Sequence, residues 1–392
     1  MPSPASHAGA GRLRIPVRHE GQDVLLEARA RSAPAPQGRS GRGPARVSGA
    51  GAADRSAVSP SVRTLHEQSI VIDLVCPLAG TERYLDEWIR GGVTAIGPTV
   101  AADDDLPSTM TKLATWHARL SRLPDTLLHV TTVADVRRAK RQRKLGIIFH
   151  FQNTQPFERN PELVALYYRL GVRVAQLTYN TRNWVGDGCE EPANSGLSDF
   201  GRRVVREMNR VGMVVDLSHT GHRTTMEAME VSSAPCIFSH ANAYAVHDSG
   251  RNIRDDQIKA VAASGGVIGL VGFPAFVSRR RWPTVDELVR HADYIAGKVG
   301  VDHVSVGIDY YQGQWPFIKA AEGRAMYARL VREGRWSPKN YPPPPYKYPK
   351  GIEVPSKLPA LTAALRRAGF SAADVRKVLG ENLLRVFGRV WK

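Results

Sequence analysis

Met213-Val214-Val215-Asp216-Leu217-Ser218-His219 is the stretch whose reading decides the fold. A short Val-rich run bounded by polar residues reads as a strand covered on both faces, and its Asp, Ser and His gather at the C-terminal end. Just upstream, Ser198 to Val211 has helical periodicity, with Ser198 placed to cap its first turn. The same unit recurs in both directions. Apolar runs stand at Ile70 to Asp73, Thr94 to Pro98, Gly146 to Phe151, Arg173 to Tyr179, Pro235 to Ser239, Gly266 to Val271 and His303 to Ile308, making eight in all. Helical patterns at Pro161 to Leu170, Asp255 to Ala263 and Thr284 to Val299 lie between them. Buried strands alternating with helices imply a parallel sheet, and eight of them predict an α/β protein of the (β/α)8 TIM barrel type. The alternative is a doubly wound open sheet. After the last run, Ser337 to Pro349 is Pro-rich and reads as a long loop of the kind that covers an active site, before helices over Leu358 to Arg367 and Ala372 to Phe387.

The chain has 392 residues, 42% of them hydrophobic, enough for a large core. Residues 1–62 are rich in Ala, Gly, Pro and Arg and bury too little to offset their ordering entropy, so a disordered extension is expected there and the barrel domain over 63–392. No stretch reads as a membrane span, a secretory leader or a lipid-anchor tail, and the expected location is cytoplasmic. Three cysteines without a paired spacing exclude a disulfide framework and a zinc knuckle. The net charge of +17 raises nucleic acid as a partner. Its basic residues are scattered, however, with short clusters at Arg137 to Lys144 and Arg279 to Arg281 and no interleaved aromatics, so a solvated basic surface is expected instead. The expected partner is a small molecule, and a homodimer is left open.

In a barrel of this kind chemistry sits where the strands end. The fifth run ends at His219, the sixth at Phe238-Ser239-His240 and the eighth at Gly307-Ile308-Asp309. Two imidazoles and a carboxylate on one rim suit zinc or a similar ion with a position open for water.

Several segments, in order, resemble motifs of the membrane (renal) dipeptidase family. They are Leu170-Gly171-Val172-Arg173, Gly196-Leu197-Ser198-Asp199-Phe200-Gly201, Asp216-Leu217-Ser218-His219, Phe238-Ser239-His240-Ala241-Asn242-Ala243-Tyr244, Arg251-Asn252-Ile253-Arg254-Asp255-Asp256, Gly307-Ile308-Asp309 and Leu379-Gly380-Glu381-Asn382. The resemblance spans about residues 69 to 387. It implies a zinc-dependent dipeptidase in which His219 and His240 bind an ion, Asp309 stands beside the attacking water, as proton acceptor and as a ligand, and Arg251 holds the substrate's carboxylate.

Two parts of the family pattern are absent. The family's first strand carries His-x-Asp, whereas here Asp73 is followed by Leu74-Val75-Cys76-Pro77. Gln152 falls where the family has a Glu bridging two ions, and a neutral amide offsets no charge between dications. Tyr179 stands where the family commonly has a His that steadies the tetrahedral intermediate; its phenol could donate to an oxyanion. One zinc ion on His219, His240 and Asp309 is therefore expected, and a second is doubtful. Asp73 and His150, which shares a strand face with Gln152, are further rim candidates, against plain hydrogen bonding. Cys76 and Cys189 are either thiolate replacements for lost ligands or small buried hydrophobes. His222 and His247 are expected at the periphery. The leading reading is hydrolysis of dipeptides or similar small amides. The alternatives are a single-ion lyase or decarboxylase on a non-peptide substrate and an inactive binding homologue.

Overall fold

Short parallel strands follow one another in chain order: β1 (Ile72–Asp73), β2 (Ala95–Ile96), β3 (Thr99–Ala101), β4 (Leu127–His129), β5 (Leu145–Ile147), β6 (Phe149–Phe151), β7 (Val172–Gln176), β8 (Val214–Asp216), β9 (Ile237–Phe238), β10 (Val267–Leu270) and β11 (Val304–Val306). They come from a computed structural model that describes residues 59–392. The extension expected over 1–62 lies outside the described residues up to position 58. Its last residues are already helical, because Ser59 accepts from the Val62 amide and Pro60 suits the first turn of a helix over Pro60–Gln68.

The strands reproduce the eight expected runs. The second and third are each split in two, β2 with β3 and β5 with β6, where the register shifts beside Thr99 and Phe149. Neighbours pair from β3 and β6 through β7, β8, β9 and β10 to β11, and β1 pairs with β2. The ring closes through backbone bonds from Leu74 N to Val306 O at 3.3 Å and from Asp309 N to Val75 O at 3.1 Å. The architecture is thus the (β/α)8 barrel, not the open sheet. β4 was not anticipated; it pairs with β5, whose other neighbour is β2.

Inside the ring nearly every strand contributes an aliphatic side chain to one cluster: Ile72, Ala95, Ile148, Val174, Val214, Ile237 and Val267, all buried. Leu383, Leu384, Val386 and Phe387 of the last helix, Asn382–Val390, join this cluster. That helix meets the beginnings of the strands, since Asn382 donates to the carbonyls of Val301 and Val304 and Arg385 to that of Gly265. It therefore plugs the floor, and the strand ends are left to form the site. The terminal helix expected over Ala372 to Phe387 is interrupted by a wider turn at Lys377–Glu381. A Cβ at Gly380 would lie 2.5 Å from the Ile70 carbonyl oxygen, so the helix widens where it presses on the approach to β1.

The other helices fall close to their patterns, at Glu162–Arg169, Asp199–Val211, Asp255–Ala263 and Val285–Val299, the second capped by Ser198 and the last by Thr284 in a capping box. Between β11 and the terminal helices the chain rises over the strand ends. This segment carries a helix, Ala320–Arg332, absent from the sequence reading, and two short strands, Gln314–Trp315 and Tyr346–Lys347, that pair in parallel. The Pro-rich loop thus contains structure of its own and does cover the rim.

Candidate metal centre

His219 leaves the end of β8 and His240 the end of β9. Their Nε2 atoms lie 2.8 Å apart. The backbone is forced into this arrangement: His219 has φ of 60° and Asp309 of 64°, the left-handed region that side chains beyond glycine rarely adopt. Such conformations cost of order 1–3 kcal/mol each and persist where the surroundings hold them. Around His240 the packing is close enough to do so. A Cβ at Gly269 or at Gly307 would lie 1.9 Å from the Ser239 carbonyl oxygen.

The proton positions on the two rings follow from their neighbours. Asn180 Nδ2 donates to the Arg335 carbonyl, so its Oδ1 is the atom facing His219 Nδ1 at 2.7 Å and accepts from it. Ser239 Oγ donates to Asp216 Oδ2 at 2.5 Å and must accept from His240 Nδ1 at 2.8 Å. Both rings therefore carry their proton on Nδ1 and point bare Nε2 lone pairs at each other. Burial first, then the charge of Arg251, holds both imidazoles well below the usual histidine range, in the neutral form that binds metals. Two buried lone pairs at this distance repel unless a cation lies between or beside them. Two nitrogens on a tetrahedral zinc at about 2.0–2.1 Å would stand roughly 3.3 Å apart, so a small opening of the pair admits the ion. The pair supplies two of the donors that a divalent ion needs.

The candidates for further ligands are engaged elsewhere. Among the described residues no three His, Cys, Asp or Glu side chains converge on one point, at the histidine pair or elsewhere. Asp73, a candidate extra ligand, is occupied elsewhere: Oδ2 accepts from Trp88 Nε1 at 2.9 Å and Oδ1 from the Ile308 amide at 2.8 Å, tying β1 to the strand beside it. Val75 and Cys76 are fully buried, and the Cys76 thiol donates to the Asp73 carbonyl, with its pKa pushed well up by burial. Gln152 does face the cavity, accepting from Thr99 Oγ1 at 3.1 Å. His150, the other candidate, is fully buried and bonds through Nε2 to Asp216 Oδ2 at 3.2 Å.

A cavity of about 310 Å³ beside His219 is lined by Gln152, Tyr179, His219, Asp309, Trp336 and Tyr341, among others, while His240 lies fully buried behind it. Its volume suits a ligand of dipeptide size. Among the described residues no donor bonds the Asp309 carboxylate. Burial pushes that carboxyl well above the ordinary range, with Arg251 pulling down and Asp73 pushing up. Tyr179 stacks on the His219 ring at 4.2 Å between centroids, and its oxygen accepts from Trp336 Nε1 at 3.1 Å. The phenol proton is thus free to donate, and burial raises its pKa, so it stays protonated.

Arg251 opens on a neighbouring cavity of about 190 Å³ that shares His219 as a wall. Only 3% exposed, it has no carboxylate partner, and its Nε and Nη2 bond nothing among the described residues; the Phe276 ring lies 5.1 Å from its guanidinium carbon. A buried guanidinium left unpaired is expensive unless an anion comes to it. Cys189 lines the same small cavity as a thiol, pushed up to about 11 by burial, so the thiolate-ligand option for both cysteines is not what their surroundings favour. His222 pairs with Asp256 at 2.7 Å and lines the small cavity that His219 and Arg251 also wall, whereas His247 bonds the Ala275 carbonyl.

The sequence reading missed Asn180, Trp336 and Tyr341. Asn180 could have been found by the strand-end rule, since it follows Tyr179 beyond β7. The two aromatics belong to the covering segment and reach the site only through the fold. Tyr341 OH contacts Asn180, and its ring stacks on Trp336 at 4.4 Å. Asn340 and the Ser337 amide bind the Glu190 carboxylate, which latches this segment to the loop after β7.

The barrel thus brings a histidine pair, a carboxylate without a donor and a buried arginine without a carboxylate partner to its strand ends. The chain belongs to the membrane dipeptidase family (peptidase family M19), which it matches over residues 80–336 and 346–392. It is 28% identical over 289 residues to the dipeptidase verJ of Clonostachys rogersoniana, covering 73% of this chain and 66% of that one. It is 35% identical over 232 residues to an uncharacterized dipeptidase of Schizosaccharomyces pombe, covering 58% and 49%. The chain thus spans between about half and two thirds of the length of these relatives. The crystal structure of an amidohydrolase from Pseudomonas aeruginosa superposes with a TM-score of 0.77 at 32% identity, covering 84% of this chain and 99% of that one.

Proposed function

We propose that this chain is a metallodipeptidase that works with a single divalent ion, zinc, held by His219 and His240, with Asp309 on the wall of the cavity that His219 also lines. The observation that carries the reading is the pair of bare, buried Nε2 atoms pointed at each other. When bound, the ion would polarise the scissile carbonyl and lower the pKa of water at the site. Asp309, whose carboxylate no donor occupies among the described residues, accepts the proton of the attacking water. Tyr179 donates its phenol proton in a hydrogen bond to the oxygen that gains charge. Arg251 receives the substrate's terminal carboxylate on its unpaired Nε and Nη2, which also relieves its own buried charge. Tyr341 and Trp336 close the cavity and exclude water.

A second reading, a single-ion lyase or decarboxylase on a non-peptide carboxylic acid, is favoured by one observation: uncharged Gln152 and the buried Val75 and Cys76 stand where a second ion would need ligands. A panel of dipeptides and N-acyl amino acids assayed with added zinc separates the two. Release of free amino acid supports the peptidase; turnover of carboxylic acids with no amide cleavage supports the second. We also place the protein in the cytoplasm and its substrate among small molecules. Among the described residues no helix is long and apolar enough to cross a membrane, and all three cysteines are free.

A further inference from the structure

The bond between His150 and Asp216 joins β6 to β8 and skips β7 between them, so it runs through the barrel interior. It begins a continuous buried chain. Asp216 Oδ2 accepts from His150 Nε2 at 3.2 Å and from Ser239 Oγ at 2.5 Å; Ser239 Oγ accepts from His240 Nδ1 at 2.8 Å. The other oxygen, Oδ1, accepts from the Ser218 and Ser239 amides at 3.0 and 2.9 Å. With four donors converging on it, Asp216 can only accept, which leaves Ser239 a single way to orient. Its proton goes to Asp216 and its lone pair to His240 Nδ1. Ser218 Oγ meanwhile accepts from the His240 amide at 3.0 Å and fixes the backbone that carries the ring.

From this geometry we infer that Asp216, acting through Ser239 and steadied by His150, is the positioning group that locks His240 in the tautomer whose Nε2 lone pair faces His219. The inference rests on the reading of His240 as a metal ligand. Asp216 touches neither substrate nor ion. Its role is to decide, from the second layer, which ring nitrogen of His240 is bare, as outer partners of metal-bound histidines do. A neutral imidazole without that partner divides between two tautomers and turns more freely about its side-chain bonds. The His219 end needs no such relay, because Asn180 Oδ1 accepts from its ring directly.

The test is zinc affinity of the full chain, stripped of metal and titrated in competition with a chromogenic chelator. Ser239→Ala and Asp216→Asn should each bind zinc about 10- to 100-fold more weakly than the unaltered chain, with Ser239→Thr restoring affinity because it keeps the hydroxyl. Nitrogen chemical shifts of the metal-free protein should show His240 protonated at Nδ1, and in Ser239→Ala that preference should be lost, a change that a merely structural role would not produce. If Asp216→Asn fails to fold, Ser239→Ala, which removes one oxygen, decides the matter. Zinc binding by Ser239→Ala within about twofold of the unaltered chain, together with an unchanged tautomer, overturns the inference. His240→Ala separates the two levels: if it retains zinc, the ligand assignment itself falls; if it loses zinc while Ser239→Ala does not, only the positioning role falls.

Discussion

His219 and His240 meet Nε2 to Nε2 at 2.8 Å, each having committed its ring proton at Nδ1 to a neighbour, Asn180 for one and Ser239 for the other. Without a cation the pair is repulsive, and with one it is half of a coordination sphere. The protein purified without chelators should carry about one divalent ion per chain. His219→Ala and His240→Ala should each reduce this to near zero by elemental analysis, and retention of the ion after either change would misplace the site. Gln152→Glu should not bring the content to two, because Asp73 remains tied to Trp88 and Ile308.

Arg251 is buried, unpaired and directed into the small cavity behind His219. Replacing it by Ala removes hydrogen bonds to a charged group, each worth about 1.5–3 kcal/mol, so kcat/KM for dipeptides with a free carboxylate should fall roughly 10- to 100-fold or more. C-terminally amidated dipeptides should be far less affected. Equal losses on both would show that the guanidinium does not read the carboxylate.

Tyr179→Phe removes one donor and keeps the ring that stacks on His219. Loss of a single oxyanion donor typically costs about 100- to 1,000-fold in kcat, with little change in KM. Metal content should not change. A kcat within a few-fold of the unaltered enzyme would remove Tyr179 from the reaction.

His291 should shape the acid limb of stability. Its Nδ1 accepts from the Ala243 amide and its Nε2 donates to the Val277 carbonyl, a pattern that only the neutral ring satisfies. Burial lowers its pKa to about 4, against a partial opposing pull from the Val277 bond. Between the unfolded pKa near 6.5 and about 4 the unfolded chain binds the proton and the folded chain does not. This contribution is complete above about pH 6.5 and is lost as pH falls, to a total of about 3 kcal/mol. His291→Gln, which can still donate and accept, should flatten the slope of unfolding free energy in that window by about 1.4 kcal/mol per pH unit. Urea melts across pH 4.5 to 7.5 check this, and an unchanged slope would remove His291 as the titrating group.

Much of the molecule was legible in the chain. Periodicity depends on near neighbours, so the eight runs, the helix capped by Ser198 and the capping box at Thr284 could be read locally. The strand-end rule reached His219, His240 and Asp309 for the same reason. β4 was missed because its apolar run is short, and the break at Lys377–Glu381 because its cause, the carbonyl of Ile70, is distant in sequence. Asp73 looked like a candidate ligand until Trp88 and Ile308 were seen to claim its oxygens.

The sequence by itself determined the barrel, its family and the residue types on the catalytic rim, because hydrophobic period and the chemistry of strand ends are written in consecutive residues. Only the tertiary structure decided which nitrogen of each histidine is bare, that Asp73 is unavailable, that Arg251 waits unpaired behind His219, and that Asp216, bonded to His150 across the interior, orients the Ser239 hydroxyl beside His240. Each of these depends on contacts between distant parts of the chain, where a hydrogen bond given to one partner is denied to another.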